Sequence, residues 1–300
     1  MASSTSWHTL NADRRLAHRI WPIWFLCNLI NNCRSNKSLN LAIKKFCPKS
    51  LRDGWVGSET TASPSRRLTD LFFAELPYHE IARAIGGIHI LDLGCGVGKY
   101  AKMFSDLYGS QLDFSYLGVD QKVSEKWHDN SDIRCNFRQA GVGDIDLSLL
   151  DKANVIVSIS VLEHLDHDLF LFQKISELQQ RLGRKLLQIH LVPSAACLWL
   201  YGLHGVRQYT PRTINVIADA IERDTKVVVY ALGGKHSNWV HWRNITLPLK
   251  TRMGDRRFVD TNKYCRDRNE AIAADRGDQT GAPSFYAILI LPDEISDIEI

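Results

Sequence analysis

The stretch "ILDLGCGVGKY", residues 90–100, sets three glycines within five positions, directly behind an apolar run and ahead of a helical pattern. Such a loop turns tightly and brings backbone N–H groups against a ligand, so it belongs where a buried strand ends and a helix begins. The chain around it follows the same grammar. "IHILDLG" (88–94), "FSYLGVD" (114–120), part of "DIRCNFRQ" (132–139), "ANVIVSIS" (153–160) and "KLLQIHLV" (185–192) are short apolar runs, with helical patterns such as "DHDLFLFQKISELQQRL" between them. Strands rich in Val, Ile and Leu that alternate with helices predict an α/β chain with a doubly wound parallel sheet, covered on both faces. "TKVVVYALGG" (225–234) and "SFYAILILPD" (284–293) add two more strands.

What flanks this core is less regular. Residues 1–66 read as a basic N-terminal extension, helical in part, ending in the polar, turn-rich stretch "GWVGSETTASPSRR" (54–67). Residues 1–67 hold eleven Lys/Arg against three Asp/Glu, although the whole chain carries only +4. A basic arm before a mildly acidic body suits an anionic partner, and "RRLAHRIWPIWFLCNLI" could lie on a membrane surface or simply cap the body. Pro22 and the absence of a small-residue cleavage site separate it from a signal peptide. The main domain is expected over 67–300. Within it, about 235–283 forms an insertion too long for an ordinary connection, either functional or mobile. Seven scattered cysteines without a C-x-x-C pair exclude a disulfide framework and fit a cytoplasmic protein, possible membrane association aside.

Two adenosine ligands use a glycine loop of this kind. A dinucleotide loop, G-x-G-x-x-G, needs its third glycine at position 99, which is Lys99. The spacing here is D-x-G-x-G-x-G, with Asp92 suited to an ammonium and ill suited to a phosphate. Asp120, ending "YLGVD", can accept hydrogen bonds from both ribose hydroxyls. The loop resembles motif I of the class I S-adenosylmethionine-dependent methyltransferases. "NVIVSISVLEHLDH" (154–167) is similar to the fourth-strand motif of their small-molecule branch, with Asn154 where an Asp is common. The resemblance implies a Rossmann-like sheet with an antiparallel last strand, S-adenosyl-L-methionine as cofactor, and an acceptor lid at about 193–212. It assigns Asp92, Gly94, Cys95, Gly96 and Gly98 to the donor's amino-acid end, and Asp120 with Gln121 to the ribose. Asp144, with Asp146 as the alternative, and Ile145 go to the adenine, and Ser158 lies beside the methyl group.

Methyl transfer from a sulfonium needs an aligned acceptor and, for a hydroxyl, a base to remove its proton. His164, His190 and Tyr209 are the catalytic candidates, with His167 a further possible base and a structural role open for each. In the lid, Arg207 could pair with an acidic acceptor. "GGKHSNWVHWRNI" (233–245) suits a sugar or lipid headgroup, or a packed loop. Some relatives in this superfamily bind a divalent metal through Glu-x-x-Glu-His. Here Glu163 and His164 match but Ser160 replaces the first Glu, so no metal is expected unless His167 or Asp168 substitutes. The expected acceptor is a small molecule or a lipid or saccharide precursor, methylated at oxygen. RNA is the alternative acceptor, and a non-catalytic methyltransferase-like binding protein is the third reading.

Overall fold

The computed structural model describes residues 4–34, 41–51, 59–221, 225–278 and 281–297. Eight strands form one sheet: β1 (Ile43–Phe46), β2 (Ile88–Leu93), β3 (Phe114–Asp120), β4 (Cys135–Gln139), β5 (Val155–Ile159), β6 (Leu187–Pro193), β7 (Lys226–Leu232) and β8 (Phe285–Leu291). Their spatial order is β1-β7-β8-β6-β5-β2-β3-β4. All neighbouring pairs are parallel except those of β8, which runs antiparallel to both β6 and β7. The arrangement is Rossmann-like with a reversed strand inserted near one end.

Alternation along β2 explains why both faces are covered. Ile88 and Ile90 join one apolar cluster, with Phe73, Phe104 and Tyr108 from helices on that side. Leu91 and Leu93 join the other, with Leu169, Phe172 and Ile175 of the helix Asp168–Leu182. A strand with apolar residues on both sets can be stable only between two helical layers. Asn154, at the entrance to β5, ties the sheet's lower edge together. Its Oδ1 accepts from the His89 N–H at 2.8 Å and its Nδ2 donates to the Ile85 and Gly87 carbonyls, both at 3.1 Å.

Two segments outside the strand–helix alternation carry structure that the sequence did not signal. The segment before residue 67 is part of the fold: β1 pairs in parallel with β7, Ile43 facing Val229 and Phe46 facing Leu232. Four residues with two lysines gave too little apolar periodicity to read as a strand. Part of the expected linker, 54–58, lies outside the described residues. The 235–283 insertion is largely helical where it is described. Asp275 of the helix Thr261–Gly277 accepts from the His236 and Ser237 N–H groups at 2.9 and 3.0 Å, capping the helix Lys235–His241. Tyr264 donates to the Ala62 carbonyl at 2.8 Å. The long helix buries only a narrow side, which is why its sequence reads as polar on most faces.

Candidate functional site

Chain order reverses at β2, with β3 and β4 on one side and β5 and β6 on the other. A reversal of this kind opens a crevice outside the strand ends, the usual ligand position in open α/β sheets. A cavity of about 620 Å³ occupies it. Gly94, Asp120, Gln121 and residues 140–143 line it from the strand ends, and Ser160, Val161 and His164 from the segment after β5. Asn11, Asp13 and Arg14 of the N-terminal segment close the remaining side.

Backbone shape and the Asp120 carboxylate form the strand-end side of this cavity. Gly94 has φ +72°, and a Cβ there would stand 2.6 Å from Val161 Cγ2, so the turn needs glycine for conformation and for space. Asp120 is held by two amides: Oδ2 accepts from Gly96 N and Oδ1 from Lys122 N, each at 2.9 Å. Its orientation is therefore fixed while the group still borders the cavity.

Of the expected donor residues, Gly94, Asp120 and Gln121 border the cavity. Others stand behind it. Asp92 is buried, accepts from the Tyr116 hydroxyl at 2.6 Å, and is pushed up to about 7 by that burial. Gly98 starts the helix Lys99–Tyr108 beneath the Phe137 ring, and Cys95 and Gly96 complete the turn. Asp144 caps its own turn, accepting from Gly141 N at 2.9 Å, so residues 141–143 rather than this carboxylate face the cavity. Asp146 likewise accepts from Leu149 N at 3.1 Å as a helix cap. Ile145 is in the core, and Ser158 is fully buried against His190.

The catalytic candidates separate in the same way. His164 borders the cavity. His190 does not: it lies fully buried in β6, Nδ1 is 2.7 Å from Ser158 Oγ, and burial pushes it down to about 3. Tyr209 is fully buried and donates to Asp168 at 2.7 Å. Arg207 is buried beside it, 3.3 Å from the same carboxylate and donating to the Leu165 and Asp166 carbonyls at 2.6 and 2.8 Å. These residues, together with Thr5, whose hydroxyl donates to Asp168 at 2.6 Å, fasten the lid and the N-terminal segment to the loop after β5. Periodicity cannot distinguish a polar residue aimed into such a network from one aimed at a ligand.

A second cavity of about 280 Å³ adjoins the first. Ser63, Ser65, Arg66, Thr69, Tyr201, His204 and Phe285 line it with Ile159, and Ser160 borders both cavities. Ser160 has φ +56°, a strained conformation for a residue with a side chain, at the point where the two spaces meet.

Beside Ser160 stands a cluster that the sequence showed only in part. His164 Nδ1 lies 2.5 Å from Asp13 Oδ2, and its Nε2 is 3.8 Å from Glu163 Oε1. His204 Nε2 is 3.9 Å from the same oxygen, and the two imidazoles meet edge to face at 4.7 Å. Glu163 is fully buried and neither carboxylate oxygen has a hydrogen-bond partner, so desolvation pushes it up to about 7. Burial works against a charged His164, but the Asp13 hydrogen bond and the Glu163 charge outweigh it and its pKa is raised. His204 is lowered by burial and by His164. The ligand atoms of Glu163, His164 and His204 all lie within 4.8 Å of one another, a spacing a divalent cation can draw together. The partner that completes this group, His204, comes from the lid. His167 and Asp168 do not join it; Asp168 serves Thr5, Tyr209 and Arg207 instead.

No protein-family model matches the chain, and no curated protein matches it in sequence. The solved structures it is similar to are methyltransferases. A SAM-dependent methyltransferase from Archaeoglobus fulgidus is 16% identical, with 74% of this chain and 93% of that one covered and a TM-score of 0.42. Coclaurine N-methyltransferase is 17% identical, covering 79% and 75%, TM-score 0.44. The small RNA methyltransferase HEN1 is 11% identical, covering 81% of this chain and 27% of that one, TM-score 0.46.

Proposed function

We propose that the chain is an S-adenosylmethionine-dependent methyltransferase, with the donor in the 620 Å³ cavity and the acceptor in the 280 Å³ one. The observation that carries this reading is their junction at Ser160: a glycine turn and a fixed carboxylate at the strand ends, opening onto a separate polar space. Asp120 would take the ribose hydroxyls, the backbone of 141–143 the adenine, and the turn at Gly94 the amino-acid end. The sulfonium supplies an activated methyl group. The protein's work is then to align the acceptor along the line of displacement and to remove its proton.

The acceptor in this reading is a small polar molecule, or the polar end of a lipid or saccharide precursor, methylated at oxygen. The cavity size and its hydroxyl and guanidinium lining support that class. His204 lines the acceptor cavity and is the base best placed for the hydroxyl proton; His164, oriented by Asp13, stands next to it. A second reading is favoured by the unpartnered Glu163 oxygens. A divalent cation held by Glu163, His164 and His204 would lower the acceptor hydroxyl's pKa in place of a free imidazole base. Incubating the protein with methyl-labelled donor and a metabolite extract, with and without chelator, tests both. Label in a small product supports the reading, label only in RNA or none at all overturns it, and loss on chelation selects the cation.

A further inference from the structure

The helix Trp21–Cys33 is inside out. Its inward side carries polar residues with Trp24 and Cys27: Asn28 donates to the Val206 carbonyl at 3.1 Å, and Asn31 Oδ1 accepts from Arg212 at 2.8 Å. Its outward side presents Ile23, Leu26 and Ile30, each close to half exposed or more, at spacings of three and four residues. That spacing makes one continuous stripe on a helix. No acidic residue lies anywhere in 14–34.

The apolar face continues beyond the helix. Phe25 meets Trp199 edge to face at 5.1 Å, and Trp199 is 56% exposed. The helix Cys197–Tyr201 then reaches the segment after 241, where Thr246 donates to the Leu200 carbonyl at 2.6 Å and exposed Leu249 and Met253 follow. A contiguous exposed apolar surface is unstable in water unless something covers it. Exposed cations flank these segments in sequence: Arg15 and Arg19 precede the helix, and Lys250 and Arg252 fall between Leu249 and Met253.

We infer that this face docks the protein on an anionic lipid bilayer, with Ile23, Leu26, Ile30 and Trp199 in the interface. Aliphatic side chains flanked in sequence by arginine and lysine suit the boundary between headgroups and acyl chains, where the cations meet lipid phosphates and the stripe leaves water. A single-stranded nucleic acid would need aromatic platforms along the basic track, whereas the helix stripe of Ile23, Leu26 and Ile30 is aliphatic. The helix is too short to cross a membrane, and no described helix is long and apolar enough to do so. Tyr201 and His204, which line the second cavity, come two and five residues after Trp199, so docking would bring that cavity close to the interface. The inference stands apart from the methyltransferase reading, because vesicle binding and donor binding are measured separately.

The test is co-sedimentation of the full chain with phosphatidylcholine vesicles, with and without phosphatidylserine. Binding to the anionic vesicles is expected, with only partial loss at high salt. Leu26→Glu with Ile30→Glu should lower the bound fraction roughly tenfold or more, because both apolar contacts are lost. Trp199→Ser, on a different helix, should act in the same direction if the double variant folds poorly. Arg15→Glu with Arg19→Glu should remove the preference for phosphatidylserine. Circular dichroism and thermal melting of the same proteins separate lost docking from lost folding. A wild type that ignores both vesicles overturns the inference. So does docking unchanged in the apolar variants, or binding to single-stranded RNA in place of vesicles.

Discussion

The two cavities that meet at Ser160 are made from different materials. Around the first, the defining groups are backbone turns and one strand-end carboxylate, at 94, 120–122 and 140–143. Around the second they are side chains from four distant segments, 63–69, 159–160, 201–204 and 285. A strand-end turn is encoded locally, because the residues that need its conformation are neighbours in sequence. A side-chain cavity exists only after helices, lid and sheet have packed. The difference predicts where each region is fragile: the first to changes of backbone shape, the second to loss of single functional groups.

The largest effect should come from the second region. His204→Ala should lower methyl transfer by about 10²–10⁴-fold, the usual contribution of a positioned acid or base, while donor affinity stays the same. Glu163→Gln should do likewise if the buried carboxylate acts through its charge. Single-turnover transfer beside donor calorimetry checks both. Equal loss of donor affinity would erase the division between the cavities.

How much of this was legible follows the same division. The seven strands from residue 88 onward, the reversed last strand and the cavity residues Gly94, Asp120 and Gln121 were readable, since apolar periodicity and turn chemistry are local signals. His190 and Tyr209, expected as catalytic candidates, lie buried on Ser158 and Asp168; a buried polar residue in a strand and one at a helix start look the same in sequence whether they face a ligand or another side chain. His204 falls within the expected lid at about 193–212, but its meeting with Glu163 depends on lid packing. Asp13 and β1 were hidden in the extension, where no pattern foretold contact with the site or the sheet edge.

A backbone change in the first region is the next largest perturbation. Gly94→Ala should destabilise the chain by about 2–4 kcal/mol, from the left-handed conformation and the Val161 contact combined, and should abolish donor binding. Urea unfolding beside calorimetry reads both. If binding persists in the folded variant, the turn is not what shapes the donor cavity.

A subtler contrast lies just behind that turn. Asp92 sits at about 7, above the 3.8 of an ordinary aspartate, so the folded chain holds its proton more tightly than the unfolded chain does. Its contribution to stability is therefore highest below about pH 4 and falls as pH rises towards 7. Asp92→Asn should accordingly be stabilising by about 1–3 kcal/mol at pH 8 and close to neutral at pH 4, seen in urea midpoints at the two pH values. Stabilisation that is the same at both would mean that the carboxylate is not carrying that burial penalty.

The smallest effect concerns the N-terminal segment. Asp13 holds His164 by Nδ1 and raises its pKa. Asp13→Asn should move the His164 titration to lower pH in imidazole NMR spectra. An unmoved titration would detach the extension from the chemistry of the site.

The central claim is that the crevice at the strand reversal holds an adenosine-bearing methyl donor through Asp120. Calorimetry with S-adenosylhomocysteine tests it most directly, on wild type and Asp120→Ala side by side. Saturable binding that weakens by roughly 10–100-fold on losing the charge-assisted hydrogen bonds is the expected result. No binding by folded wild-type protein, or equal affinity in the two proteins, would contradict it.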